Sequence, residues 1–122
     1  MTITTRPWGT YEVLLDEQAY KLKRIVVNPM QRLSYQSHEL RDEVWVVVSG
    51  SGLVTIDDKV SKIGYNSIIC IPKKAKHRIE NNKKAEKLIF IEVQTGMSFQ
   101  EEDIVRYSDD YGRIDGQKGE NK

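Results

Sequence analysis

Apolar residues in this chain come in short runs, cut at close intervals by turn residues. Helical periodicity is almost absent, and this pattern predicts an all-β sandwich or barrel. The predicted strands cover residues 9–15, 20–27, 33–38, 43–49, 53–56, 67–71, 76–81 and 87–94. Asn28-Pro29, Gly50-Ser51-Gly52, Asp57-Asp58, Gly64-Tyr65-Asn66 and Asn81-Asn82 supply the turns. Pro72 closes the strand before it, because it has no N–H to give a ladder. Residues 100–105 read as a short helical turn. Residues 114–122 have one apolar side chain, Ile114, and read as a disordered tail.

A chain of 122 residues fits a single domain, expected over residues 1–113, with a core large enough to need no disulfide. A net charge of +1 gives no bulk attraction to nucleic acid or to a membrane. The lysines at 73, 74, 76, 83 and 84 read mainly as solvated loop charge. Cys70 is the only cysteine and lies in the run Ile68-Ile69-Cys70-Ile71. It is expected to be a small buried hydrophobe. No apolar stretch near Met1 resembles a signal peptide and none reaches membrane-spanning length, so a cytoplasmic protein is expected.

The two histidines of the chain fall into one pattern with a glutamine and a glutamate: Gln36-x-His38, four residues, Glu43, and then His77. Residues two apart on a strand share a face, so Gln36 and His38 point the same way. Glu43 opens the next strand and shares a face with Trp45 and Val47. In a closed barrel the four side chains can converge on a divalent metal, with positions open to water or substrate. Two imidazoles, a carboxylate and an amide oxygen suit Zn, Fe(II), Mn or Ni, and the lack of thiolates argues against a structural zinc site.

These spacings resemble the two cupin motifs. The first runs Met30, five residues, Gln36-x-His38, four residues, Glu43, six residues, Gly50. The second runs Asn66, five residues, Pro72-x-Lys74, two residues, His77, three residues, Asn81. Met30, Asn66 and Lys74 stand where the motifs have glycine. More narrowly, the chain resembles the isomerase domain of type II mannose-6-phosphate isomerases, bifunctional enzymes that also carry a guanylyltransferase domain. The likeness rests on Arg6-Pro7-Trp8-Gly9, Gln36-Ser37-His38, Arg41, Glu43, Trp45 to Gly50, Lys76-His77-Arg78, Ile91 to Gly96, Asp103 to Arg106 and Asp109 to Arg113. Glu39 and Leu40 replace two histidines usual in that family, and Val44 replaces a third.

The resemblance implies a cupin fold, the jelly-roll barrel also called a double-stranded β-helix. It implies metal-dependent aldose–ketose isomerisation of a phosphosugar, of the mannose-6-phosphate to fructose-6-phosphate type. The metal, zinc before Mn, Fe or Ni, would be held by Gln36, His38, Glu43 and His77. Arg41 is the first choice to hold the phosphate and Lys76 the second, followed by Arg78, Lys21 and Lys23. Glu39, Glu101 or a metal-bound hydroxide could serve as base. Trp8, Tyr11 and Trp45 are read as core rather than as a sugar platform. A non-catalytic cupin that binds a sugar or sugar nucleotide is the alternative, and the replaced loop histidines favour it. An iron- or manganese-dependent oxygenase is a third reading, against which Gln36 speaks. A homodimer formed through strand edges is the expected assembly.

Overall fold

A computed structural model describes residues 2–113. The predicted tail at 114–122 lies outside the described residues. The described residues form eleven strands: β1 (Ile3–Arg6), β2 (Gly9–Asp16), β3 (Tyr20–Val27), β4 (Tyr35–His38), β5 (Arg41–Ser49), β6 (Gly52–Ile56), β7 (Lys59–Ile63), β8 (Ile68–Ile71), β9 (His77–Glu80), β10 (Leu88–Gly96) and β11 (Ile104–Ser108). They build two antiparallel sheets, ordered β1-β2-β3-β10-β5-β8 and β11-β4-β9-β6-β7. The expected helical turn is a 3-10 turn, Glu101–Asp103, which leads straight into β11. No helix among the described residues is long and apolar enough to cross a membrane.

Alternation decides which side chains meet between the sheets. On β5 the inward set is Arg41, Glu43, Trp45 and Val47, and on β10 it is Leu88, Phe90, Glu92 and Gln94. Both strands therefore carry apolar residues at one end of their inner face and polar ones at the other. The apolar halves join Ile25, Val27, Val54, Ile69, Ile71 and Ile79 in one core cluster. The polar halves lie side by side, because β10 pairs with β5 so that Gln94 stands opposite Glu43 and Glu92 opposite Trp45. The core thus fills one end of the space between the sheets and leaves a polar chamber at the other.

Three expectations needed revision. Strand β7 is almost wholly exposed, and its sequence Lys-Val-Ser-Lys-Ile has too little alternation to announce a strand. It forms because Asp57 and Asp58 take φ values of 46° and 71°, the left-handed pair that a two-residue hairpin needs. Strands β1 and β11 are edge strands held by their neighbours. Cys70 is exposed, not buried. β8 is also an edge strand, and in it Ile69 and Ile71 face the core while Ile68 (68% exposed) and Cys70 face outward. A continuous apolar run means burial on both faces only where both faces are covered.

Met30, Asn66 and Lys74 have φ values of 62°, 71° and 71°. The backbone keeps the left-handed turn at all three motif positions even though glycine is absent, at a cost of about 1 kcal/mol each. Gly50 has φ +84° as well, and a Cβ there would lie 2.3 Å from the Lys87 carbonyl oxygen.

Candidate metal centre

The polar chamber is built where β4, β5 and β9 come together. Gln36 stands opposite His77 in the β4–β9 pair, which brings the two motifs into register. The potential ligand atoms of His38, Glu43 and His77 lie within 4.8 Å of one another, and all three residues are buried. His38 Nε2 is 3.0 Å from Glu43 Oε2, and His77 Nε2 is 3.9 Å from Glu43 Oε1. Gln36 lines the same cavity, and its Oε1 accepts a hydrogen bond from Ser34 Oγ at 3.3 Å.

The donor set suits a cation. His77 Nδ1 donates to the Ala75 carbonyl (3.0 Å), which leaves the lone pair on Nε2. That Nε2 is buried and has no hydrogen-bond partner among the described residues. A buried acceptor of this kind is costly unless something binds it. Burial drives the His77 pKa down, against the opposing charge of Glu43, and so favours the neutral ring that ligation requires. Burial pushes Glu43 the other way. The hydrogen bond with His38 and the charges of His77, His38 and Arg41 outweigh that push and hold the carboxyl well below the usual carboxylate range. Trp45 Nε1 also donates to Glu43 Oε1 at 3.0 Å and fixes its orientation.

Arg41 opens β5 and is buried within the centre. Its Nε donates to Glu43 Oε2 (3.0 Å) and its Nη2 lies 3.2 Å from His38 Nε2, while Nη1 has no partner among the described residues. Most of the guanidinium is therefore committed to the ligand set. Lys76 is not among the residues lining the cavity: its Nζ lies 4.7 Å from the centre of the Tyr107 ring. Arg78, on the opposite face of β9 from His77, donates to the carbonyls of Leu33 and Ser108. Lys23 does line the cavity, with its Nζ 4.5 Å from the Tyr11 ring centre. Glu39 and Leu40 stay outside the cavity on an exposed loop, where their backbone N–H groups donate to the Asp103 carboxylate. The side chain of Glu101 lies outside the described set.

Other lining residues carried no signal in the strand pattern. Arg6, Arg106 and Arg113 join Lys23 and Arg41, so five cations surround the cavity against two carboxylates, Glu43 and Glu92. Their positions 6, 106 and 113 are too far apart in sequence to read as one cluster, although each falls in a segment of the resemblance. Arg106 Nε is buried without a partner among the described residues. Trp8 and Trp45 belong to the core cluster, as expected, and also line the cavity with Tyr11.

Glu92 is buried and accepts a hydrogen bond from Gln94 Nε2. Burial first, and then the charge of Glu43, push its pKa up to about 8, while Lys23 on β3, Gln94 and Arg41 oppose the rise. An unfolded glutamate loses its proton near 4.5, so between these values only the unfolded chain readily ionises. Stability is then intact below pH 4.5, falls as pH rises, and has lost its full share above about pH 8. In protein treated with chelator, Glu92→Gln is expected to abolish this fall. The gain is on the order of 4 kcal/mol at pH 9 and close to nothing at pH 4, read from denaturant melts across pH.

Comparison with known proteins places this arrangement. The family model for the mannose-6-phosphate isomerase C-terminal region matches residues 2–109. The mannose-1-phosphate guanylyltransferase of Escherichia coli K12 is 45% identical over 109 residues, which cover 89% of this chain and 23% of that protein. The xanthan biosynthesis protein XanB of Xanthomonas campestris (strain B100) is 44% identical over 108 residues, covering 88% and 23%. This chain thus spans less than a quarter of the length of those relatives. Among solved structures, the capsular polysaccharide assembling protein CapF of Staphylococcus aureus matches with a TM-score of 0.73 at 17% identity, covering 88% of this chain and 34% of that one. A cupin domain of Schizosaccharomyces pombe Cnp3 matches with a TM-score of 0.72 at 10% identity, covering 79% and 69%. At such identities the likeness concerns the fold, a cupin double-stranded β-helix.

Proposed function

The chain belongs to the mannose-6-phosphate isomerase C-terminal family, and from that premise we propose that it is a metal-dependent phosphosugar isomerase. The substrate pair would be of the mannose-6-phosphate and fructose-6-phosphate type. His38, Glu43 and His77 would hold the metal, with the Gln36 amide oxygen as fourth ligand. Zinc is the first choice, and Mn, Fe or Ni are alternatives. When bound, the ion supplies a Lewis acid that stabilises negative charge developing on the sugar oxygens.

One observation carries the reading: five cations line a cavity whose wall also includes His38 and Glu43, with His77 Nε2 3.9 Å behind Glu43 Oε1. A neutral sugar gives no reason to gather so much positive charge, whereas a phosphate dianion does. Arg106 and Lys23 have the most donor capacity to spare. Among the described residues Arg106 Nε has no partner and no hydrogen bond engages Lys23 Nζ, which rests on Tyr11. Arg113 is held by Asp109 at 2.8 and 3.0 Å, and Arg6 bonds Tyr11 at 3.3 Å. Arg41 Nη1 has no partner among the described residues, while Nε donates to Glu43 and Nη2 lies beside His38. The replaced histidines at 39 and 40 do not weigh against turnover, since neither position reaches the cavity. Val44 lies on the face of β5 opposite Glu43 and pairs with Cys70 and Val93. A cytoplasmic location fits a phosphorylated substrate.

A coupled assay interconverting mannose-6-phosphate and fructose-6-phosphate, with added Zn or Mn, tests the proposal. Turnover that chelation removes and metal restores is the expected result. Bound metal without turnover on any of several sugar phosphates would overturn it and leave a sugar- or sugar-nucleotide-binding cupin.

A further inference from the structure

We propose that Glu92 is the proton-transfer residue of this site, the group that takes the carbon-bound proton of the sugar and returns it to the neighbouring carbon. The assignment rests on the isomerase reading and deepens it.

Only two carboxylates among the described residues line the cavity. Glu43 is fully engaged: Arg41 and Trp45 bond its two oxygens, and His38 lies beside it. Glu92 is different. Its Oε2 accepts from Gln94, while no hydrogen bond engages Oε1 among the described residues. Gln94 Oε1 is itself buried and unpartnered, so the amide is spent on orienting Glu92. Glu92 stands opposite Trp45 on β5 and opposite Lys23 on β3. No ion pair joins it to Lys23, although the two are in register. A carboxylate 6% exposed, without a salt bridge, in a chamber rich in cations is not explained by packing.

Register also places it well. Glu92 is the diagonal neighbour of Glu43 on the same face, about 7–8 Å away by sheet geometry. A sugar held by its oxygens beside Glu43 would put a carbon between the two carboxylates. Burial favours the protonated form of Glu92, and so makes its carboxylate a stronger base than an exposed glutamate.

The step balances without any further reagent. In the aldose, the C2–H bond breaks and a Glu92 O–H bond forms. The electron pair makes C1=C2, and the C1 carbonyl becomes an enediolate oxygen. The Glu92 O–H bond then breaks as C1–H forms, and C2 becomes the carbonyl. The hydroxyl proton passes from O2 to O1. Nothing is oxidised overall, because carbon 1 is reduced as carbon 2 is oxidised.

The test compares zinc-loaded wild type and Glu92→Gln with mannose-6-phosphate in deuterated water. Turnover and deuterium gained by the recovered sugar phosphates are followed. Glu92→Gln is expected to lose about 100- to 10,000-fold in kcat. KM should stay within about three-fold, metal content should be unchanged, and deuterium incorporation should fall in parallel. Retained kcat, a change in KM alone, or loss of the metal would overturn the assignment. If Glu92→Gln does not fold, Glu92→Asp answers instead: kcat at least about ten-fold lower at unchanged KM supports it, and unchanged kcat overturns it. Wild type with neither turnover nor deuterium gain on any sugar phosphate refutes the isomerase reading and this assignment together. An active wild type with an active Glu92→Gln refutes this assignment alone.

Discussion

Replacing His77 by alanine is expected to abolish metal retention and, with it, turnover. His77 is the ligand whose geometry is most completely prepared. Its ring is buried, Nδ1 is fixed by the Ala75 carbonyl at 3.0 Å, and Nε2 is left without a partner inside the centre. Loss of an outer-shell partner commonly costs 10- to 100-fold in metal affinity, so removal of a ligand should exceed about 100-fold. A metal present at 1,000 times its Kd stabilises a folded protein by about 4 kcal/mol. For a chain of this size that is a rise in Tm on the order of 10 °C. Wild type should show this rise on adding Zn or Mn, and His77→Ala should not. The measurements are metal content after dialysis and paired melts with and without metal. A His77→Ala protein that keeps stoichiometric metal and turnover would remove the basis for this metal centre.

His77 also shows what the sequence could reveal. The ligand spacing was readable because β-strand parity is rigid: Gln36 and His38 had to share a face, and so did Glu43 and Trp45. The structure adds the register that turns parity into a site, with Gln36 opposite His77 and Glu43 opposite Gln94. Glu92 and Gln94 had the same parity as Phe90, yet alternation alone cannot tell a polar chamber from a solvated face. Only the partner strands on both sides of β10 show that these positions are enclosed. Arg106 and Arg113 illustrate a second limit. They come to the cavity through β11, whose pairing with β4 joins segments about 70 residues apart. Cys70 marks a third, since local sequence does not reveal that β8 lies at a sheet edge with its outer face uncovered.

The family resemblance makes Arg41 the first choice to hold the phosphate, and its observed contacts give it a second duty that can be measured. It is 3% exposed, donates to Glu43 at 3.0 Å and lies 3.2 Å from His38 Nε2. Glu43 is fully buried and ionised, so it must have positive charge beside it. Without metal, Arg41 is the only permanently charged cation bonded to it among the described residues. Arg41→Met preserves most of the volume and removes that charge. The metal-free protein should lose about 3–5 kcal/mol, the usual cost of breaking a buried pair. With saturating metal the loss should be much smaller, because the ion then supplies the charge. Metal should therefore stabilise Arg41→Met more than it stabilises wild type. The pH dependence has a definite sign as well. A depressed Glu43 pKa contributes stability above its unfolded value of 4.5 and loses it as pH falls toward the folded value. Arg41→Met should flatten that acid limb in metal-free protein. Chemical denaturation with and without metal, from pH 3 to pH 7, measures both effects. An equal loss of stability in the two conditions would mean that Arg41 is a packing residue rather than the counter-ion of Glu43. A large rise in KM with little change in stability would restore it to the phosphate.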